Sequence, residues 1–227
     1  MRILFLITAR AGSKGLLGKN IKLLGDKPLI SYSIDFAIRN LKAEDEICIS
    51  TDDLNVIKIA NNLGINVPFV RPKELASDTA TSYDVIMHAL DYYEKGGKTF
   101  DCVLLLQPTS PFRNQQDFEN LISTYNRDLD MVVTVKSSKE NPYFTLFEED
   151  ELGLLNKSKS GNFQRRQDCP KVFAYNGSMY LMKVAALKSK TISEFKKIKK
   201  IVMPEERSID IDTMTDWILA EFYLDKQ

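Results

Sequence analysis

Histidine is almost missing from this chain. His88 is the only one in 227 residues, and it lies in a helical stretch between Met87 and Ala89. With no second histidine and no Ser-His-Asp arrangement, a triad hydrolase is disfavoured, and His88 reads as a structural side chain. Cysteine is scarce as well. Cys48, Cys102 and Cys169 are odd in number, widely spaced and form no C-x-x-C pair, which argues against a zinc site and a disulfide framework. Cys48 and Cys102 sit in apolar runs and read as small core residues, so a reducing cytoplasm is the expected compartment. Net charge is absent: 31 basic residues balance 31 acidic ones. A nucleic-acid binder would show a basic excess, so no nucleic-acid partner is expected. No apolar stretch approaches 18 residues, so no membrane span is expected. The short apolar run at the start lacks a small-residue cleavage site and does not read as a signal peptide.

Two phosphate motifs are missing too. The P-loop requires G-x-x-x-x-G-K-[ST]. Here five residues separate Gly12 from Gly18, and Asn20 stands where the metal-binding hydroxyl should follow Lys19. The dinucleotide fingerprint G-x-G-x-x-G is absent.

What is present begins with MRILFLITARAGSKGLLGKN. Residues 1–8 are nearly all apolar, the pattern of a strand buried on both faces. A glycine-rich basic loop follows, with Arg10, Ser13, Lys14, Lys19 and Asn20. The first 25 residues hold five basic side chains and no acidic one. Glycines let the backbone approach a ligand, amide N–H groups point inward, and Lys and Arg supply charge. The loop therefore reads as an anion site, phosphate above all; the plainer reading is a solvated loop after a strand.

The remaining pattern alternates. Helices are expected over 28–40, 54–63, 83–94, 115–125 and 213–224. Strands are expected over 46–51, 67–70, 101–106, 131–135 and 199–203, with 101–106 the most apolar and central. Asp52 or Asp53 can cap the second helix, and Gly64 closes it. This is the pattern of βαβ units, and it predicts an α/β, Rossmann-like, open and mostly parallel sheet with helices on both faces. Polar or glycine residues follow each strand: ARAGSKG, STDD, RPKELASDTATS, QPTSPFR. In an open sheet these ends share one edge, which predicts a single cleft there. From about 136 the alternation breaks. Residues 141–148 and 172–182 read as strands around a polar segment, NKSKSGNFQRRQ. The prediction is one domain over 1–227 with a β-arm inserted at about 138–183. Tyr143, Phe144 and Phe147 are too apolar for a solvated hairpin and need a partner surface.

Asp210 and Asp212 are two apart, so in extended chain both carboxylates project to one side. Paired carboxylates suit Mg²⁺; equally, Asp212 or Thr213 is a natural N-cap, with Asp216 completing a capping box. Arg165, Arg166 and Lys171 read either as an anion-recognising group or as a solvated charged loop. Gln107, after the most buried strand, is placed to present its amide at the cleft floor.

Together these stretches carry a resemblance. TARAGSKGLLGKNIKLLGDKPLI, RPKELASDTATS, LLLQPTSPFR and SIDID resemble, in order and spacing, the motifs of the acylneuraminate cytidylyltransferases, or CMP-sialic acid synthetases. The match spans nearly the whole chain. CMP-Kdo synthetases typically carry Ser-Thr-Arg where this chain has Ser13-Lys14-Gly15. The resemblance implies that Arg10, Ser13, Lys14, Lys19 and Asn20 hold the triphosphate and ribose of CTP, and that Arg71, Ala80 and Ser82 belong to the cytosine-reading positions. It implies substrate contacts at Gln107, Arg166 and Tyr180, a metal-binding pair at Asp210 and Asp212, and Mg²⁺ or Mn²⁺ as cofactor. Arg10, Lys14, Lys19 and Asp212 would be catalytic. The arm would make a homodimer and reach the partner's site. Typical sialic acid synthetases have an arginine after the phenylalanine of an F-R-P-N-G stretch; here Phe173-Ala174-Tyr175-Asn176-Gly177 places alanine there. That departure, with ENPYF and KSGNFQRRQ, is more similar to synthetases for legionaminic acid. The expected reaction joins CTP and a nonulosonic acid to give CMP-sugar and pyrophosphate.

Overall fold

A computed structural model describes residues 1–12 and 15–226. In chain order the strands are β1 (Ile3–Ala9), β2 (Leu23–Leu24), β3 (Lys27–Pro28), β4 (Glu46–Thr51), β5 (Cys102–Leu106), β6 (Met131–Ser137), β7 (Phe147–Glu149), β8 (Leu155–Lys157), β9 (Phe173–Lys183) and β10 (Ile198–Val202). The helices are α1 (Leu29–Asn40), α2 (Leu54–Asn62), α3 (Ser82–Lys95), α4 (Gln115–Thr124), α5 (Val184–Leu187) and α6 (Met214–Leu224). Six strands form one sheet in the order β10-β6-β9-β5-β1-β4. The β1–β4, β1–β5 and β6–β10 pairs are parallel, while β9 runs antiparallel to both β5 and β6. The expected Rossmann-like, mostly parallel sheet is the fold observed.

Helices cover both faces because alternate strand residues point to opposite sides. Phe5 and Ile7 of β1 pack with Phe36, Val56 and Phe118 from α1, α2 and α4. Leu4 and Leu6 pack on the other face with Ile86, Ala89 and Leu90 of α3 and Leu187 of α5. Burying each such side chain contributes about 1.5–3 kcal/mol. A third cluster wraps Trp217 of α6 with Leu24, Phe112, Ile209 and Ile211. It anchors the segment before α6 against the loop after β5.

Three expected strands differ. Residues 67–70 form no strand; a single bridge joins Thr51 to Val70. Pro68 has no N–H to give a ladder, and this is the edge beside β4. Residues 141–146 form a turn in which the Asn141 carbonyl accepts from Phe144, Thr145 and Leu146 at 3.0, 2.8 and 3.1 Å. Only Phe147–Glu149 is strand there, paired with β8. The return limb of the 138–183 segment, β9, lies inside the main sheet between β5 and β6. Its Asn176-Gly177-Ser178 centre is polar yet buried, because Asn176 donates to Ser208 Oγ at 3.0 Å and Ser178 Oγ accepts from Arg113 at 3.3 Å.

Candidate active site

The loops after β1 and β5, the chain before α3 and the segment before α6 enclose a cleft of about 640 Å³. It is lined by Arg10, Lys19, Asn20, Arg71, Ala80, Ser82, Gln107, Asp210 and Asp212, all named from sequence. Ser13 and Lys14 lie outside the described residues.

Each side chain owes its place to the backbone around it. Lys19 reaches across the cleft: its Nζ donates to Asp212 Oδ1 at 2.7 Å and to the Ile211 carbonyl at 3.0 Å. Gly15 packs so closely on the backbone carbonyl of Asp212 that any Cβ there would collide with it. The basic loop and the acidic segment are thus one packed unit. Asn20 is buried, and its amide reaches back to the Arg10 carbonyl at 3.4 Å. The Arg10 guanidinium pairs with Asp78 at 2.8 Å and donates to the Ser77 carbonyl at 3.2 Å, tying the first loop to the 77–82 stretch. Arg71 is buried, held by the hydroxyl and carbonyl of Ser50. Burial lowers its pKa to about 10, with Asp52 opposing the shift, so it remains a cation at neutral pH.

Asp210 stands at the cleft floor. Desolvation is the main cause of its raised pKa, and Asp212 adds to it; a hydrogen bond from Thr109 opposes the shift. Thr109 also accepts the Ile211 N–H at 2.9 Å through its carbonyl, which fixes the extended geometry that presents both carboxylates. The N-cap of α6 is Thr213, in a reciprocal box with Asp216. The capping task therefore falls outside Asp210 and Asp212. Gly177, at φ +74°, brings β9 against this floor: a Cβ there would stand 2.7 Å from Gln107 Oε1 and 3.3 Å from Asp210 Oδ2.

Of the expected substrate residues, Arg166 lies away from the cleft of this chain, and Tyr180 does not line it but lies close to Asp210 at its floor. Arg166 is exposed in the arm, where it donates to the Lys139 carbonyl. Its neighbour Arg165 pairs with Asp168 at 2.9 Å. Tyr180 is half-buried in β9 with its ring edge-on to Tyr175 at 5.8 Å, and burial pushes its pKa up to about 12. His88 is outside the cleft as well, edge-on to Phe69 at 4.6 Å. Thr81, inside the expected 80–82 segment, lines the cleft too, while sequence reasoning missed Thr8, Ser77, Asp78 and Thr109. The polar run KELASDTATS was a signal for Ser77 and Asp78, and Thr109 follows Gln107 by two residues.

The family profile described as Cytidylyltransferase matches residues 4–222. The chain belongs to the cytidylyltransferase family. This cytidylyltransferase is 37% identical over 224 residues to a Campylobacter coli protein named post-translational flagellin modification protein B, covering 98% of this chain and 94% of that one. It is 32% identical over 222 residues to the CMP-N,N'-diacetyllegionaminic acid synthase of Legionella pneumophila, covering 97% and 95%. A solved CMP:2-keto-3-deoxy-manno-octonic acid synthetase complexed with CTP superposes with a TM-score of 0.72 at 15% identity, covering 100% of this chain and 99% of that one. At that identity the likeness establishes the fold.

The oxygen-rich end of the cleft also bears on a metal. Among the described residues no group of three or more His, Cys, Asp or Glu could cage an ion. Mg²⁺ does not need one: it binds through one or two carboxylates together with substrate phosphates. Two carboxylates whose mutual repulsion helps raise the pKa of Asp210, beside a hydroxyl at Thr109, form a donor set that fits such a hard cation.

Proposed function

We propose that this cytidylyltransferase activates a nonulosonic acid of the sialic type with CTP, N-acetylneuraminate or a close bacterial analogue, giving CMP-sugar and pyrophosphate. One observation carries the reading: cations of the first loop and carboxylates from the far end of the chain share one cleft, with Lys19 and Asp212 in contact at 2.7 Å. The acceptor's anomeric hydroxyl attacks the α-phosphate, and positioning with charge neutralisation does most of the work. Arg10, Lys14 and Lys19 receive the charge of the departing pyrophosphate. Ser13 and Asn20 hold the triphosphate and ribose. Arg71, Ala80 and Ser82 meet the cytosine, Arg71 already fixed as a buried cation. Gln107 presents its amide to the acceptor. Asp210 and Asp212 would hold Mg²⁺ or Mn²⁺, which would supply Lewis-acid polarisation of the phosphate.

The arm extends this reading to a homodimer. Phe147, Leu152, Leu154 and Leu155 are 47%, 82%, 59% and 68% exposed, an apolar surface that a second copy would cover. Arg166 of the partner subunit would then complete the acceptor end of the cleft, and Tyr180 would support it from β9. Ala174, together with the Legionella relative, favours a second reading in which the acceptor is N,N'-diacetyllegionaminate.

A pyrophosphate-release screen tests both. Release is expected with CTP and not ATP, and with N-acetylneuraminate or legionaminate above pseudaminate, KDN and Kdo. Tight CTP binding with no turnover on any nonulosonate would overturn the proposal.

A further inference from the structure

Arg113 is a buried cation that the reading above does not use. It is 5% exposed and, unlike Arg71, burial is the whole cause of its lowered pKa, about 9. Its hydrogen-bond partners among the described residues are all neutral. Nε donates to Ser178 Oγ at 3.3 Å, Nη1 to Ser33 Oγ at 2.8 Å and Nη2 to the Gln107 carbonyl at 2.7 Å. The guanidinium also lies over the Phe36 ring at 5.5 Å. A desolvated charge with no counter-ion costs stability, and a neutral side chain of similar volume would pack there without that cost. What the guanidinium supplies is its rigid fork. It joins α1 through Ser33, β9 through Ser178 and the end of β5 through Gln107.

Those three points converge under one part of the cleft. Gln107 lines the cleft; Arg113 does not. Ser178 follows Gly177, whose backbone closes on Gln107 Oε1 and Asp210 Oδ2. The fork therefore fixes both the peptide that carries Gln107 and the strand that packs against its amide. The residues proposed to meet the nucleotide base, Arg71 and the 80–82 segment, hang from β4 and the α3 N-terminus and take no bond from Arg113.

We propose that Arg113 is a positioning residue for the acceptor: its guanidinium holds Gln107 so that the amide meets the sugar acid, while CTP binding does not depend on it. The proposal rests on the functional reading above.

The test varies each substrate in pyrophosphate-release kinetics and measures CTP affinity by calorimetry. Arg113→Lys keeps the charge and loses the fork. It is expected to raise the acceptor KM at least ~10-fold, since misplacements of about 1 Å cost up to 10²-fold, with CTP Kd within about twofold of wild type. Added to Gln107→Ala, it is expected to raise the acceptor KM no further. Ser33→Ala/Ser178→Ala removes two braces and keeps the charge. It is expected to raise the same KM several-fold, and it decides the question if Arg113→Lys does not fold. An acceptor KM unchanged in the folded variants, a CTP Kd that moves in step with it, or full additivity with Gln107→Ala would overturn the proposal. A wild-type chain that releases no pyrophosphate with any nonulosonate overturns the functional reading, and this proposal with it.

Discussion

Lys19 and Asp212 lie 193 residues apart in the chain and 2.7 Å apart in space. Because this carboxylate is open to the cleft while its backbone is pinned by Gly15, it is suited to hold a cation delivered with the nucleotide. Asp212→Asn is expected to lower turnover at least ~10²-fold, the scale of losing one strong electrostatic element, read by pyrophosphate release. Near-normal turnover would overturn the metal role proposed for Asp212. Gly177 makes a sharper steric prediction. A methyl group there meets Gln107 and Ser110 at 2.7 and 2.8 Å, in a backbone conformation with φ +74°. Left-handed backbone costs a non-glycine residue about 1–2 kcal/mol, so Gly177→Ala is expected to lower Tm by roughly 2–8 °C. Turnover should fall as the floor is displaced. Among single residues, the cleft cations were legible because basic and glycine residues clustered at a strand end with no acid among them. Asp78 was not legible: a carboxylate inside a Ser/Thr run reads as a loop residue until Arg10 is seen against it.

Helix ends decide how the cleft is held at the next scale. The α6 cap answers one question the sequence left open: Thr213, and not Asp212, caps the helix. Thr213 Oγ1 accepts from Asp216 N at 3.3 Å, and Asp216 Oδ2 accepts from Thr213 N at 2.8 Å and from Asp212 N at 3.1 Å. Thr213→Ala is expected to cost about 1 kcal/mol, a Tm loss of roughly 2–4 °C for a chain of this size, measured by calorimetry. An unchanged Tm would show that Trp217 packing alone holds the helix. Among the elements, the helices were the most legible because their apolar spacing and caps are local. The strands at 67–70 and 141–148 were misread because apolar runs also occur in loops that pack on a core. Pro68 and the Asn141 turn decide there. The limb over 173–183 was assigned to the arm for the opposite reason: its buried polar centre masks a strand of the main sheet.

At the scale of the whole molecule, stability depends on pH through Asp130 at the base of the sheet. Its carboxylate accepts from the backbone of Lys197 and Lys196 at 2.9 and 3.0 Å and pairs with Lys190 at 2.9 Å. The backbone bond to Lys197 leads in holding its pKa at about 2. An unfolded carboxylate titrates near 3.9, so the folded state gains about 2 kcal/mol above that pH. The gain is lost as pH falls toward about 2. Asp130→Asn is expected to be less stable than wild type at neutral pH, with the difference closing between about pH 4 and pH 2. Denaturant midpoints across that range check it, and a pH-independent gap would rule the linkage out. Assembly is the other molecular-scale prediction. Leu154→Asp with Leu155→Asp, both exposed on the arm, is expected to convert a dimer to monomers in sedimentation equilibrium; an unaffected dimer would place the interface elsewhere.

Local physics was enough for much of this protein. Periodicity marked the helices and most strands. Glycines and basic residues after a buried strand marked the basic end of the cleft, and two aspartates two positions apart marked the acidic end. Only the tertiary structure decided which of these meet. Lys19 and Asp212, Arg10 and Asp78, and Arg113 with Ser33 and Ser178 are joined by packing and by hydrogen bonds between separate elements. Such contacts depend on sheet order and on how closely backbones approach. The insertion of β9 between β5 and β6 set the cleft floor. That choice follows from burying both faces of a polar-centred strand, and its hydrogen-bond partners come from distant parts of the chain.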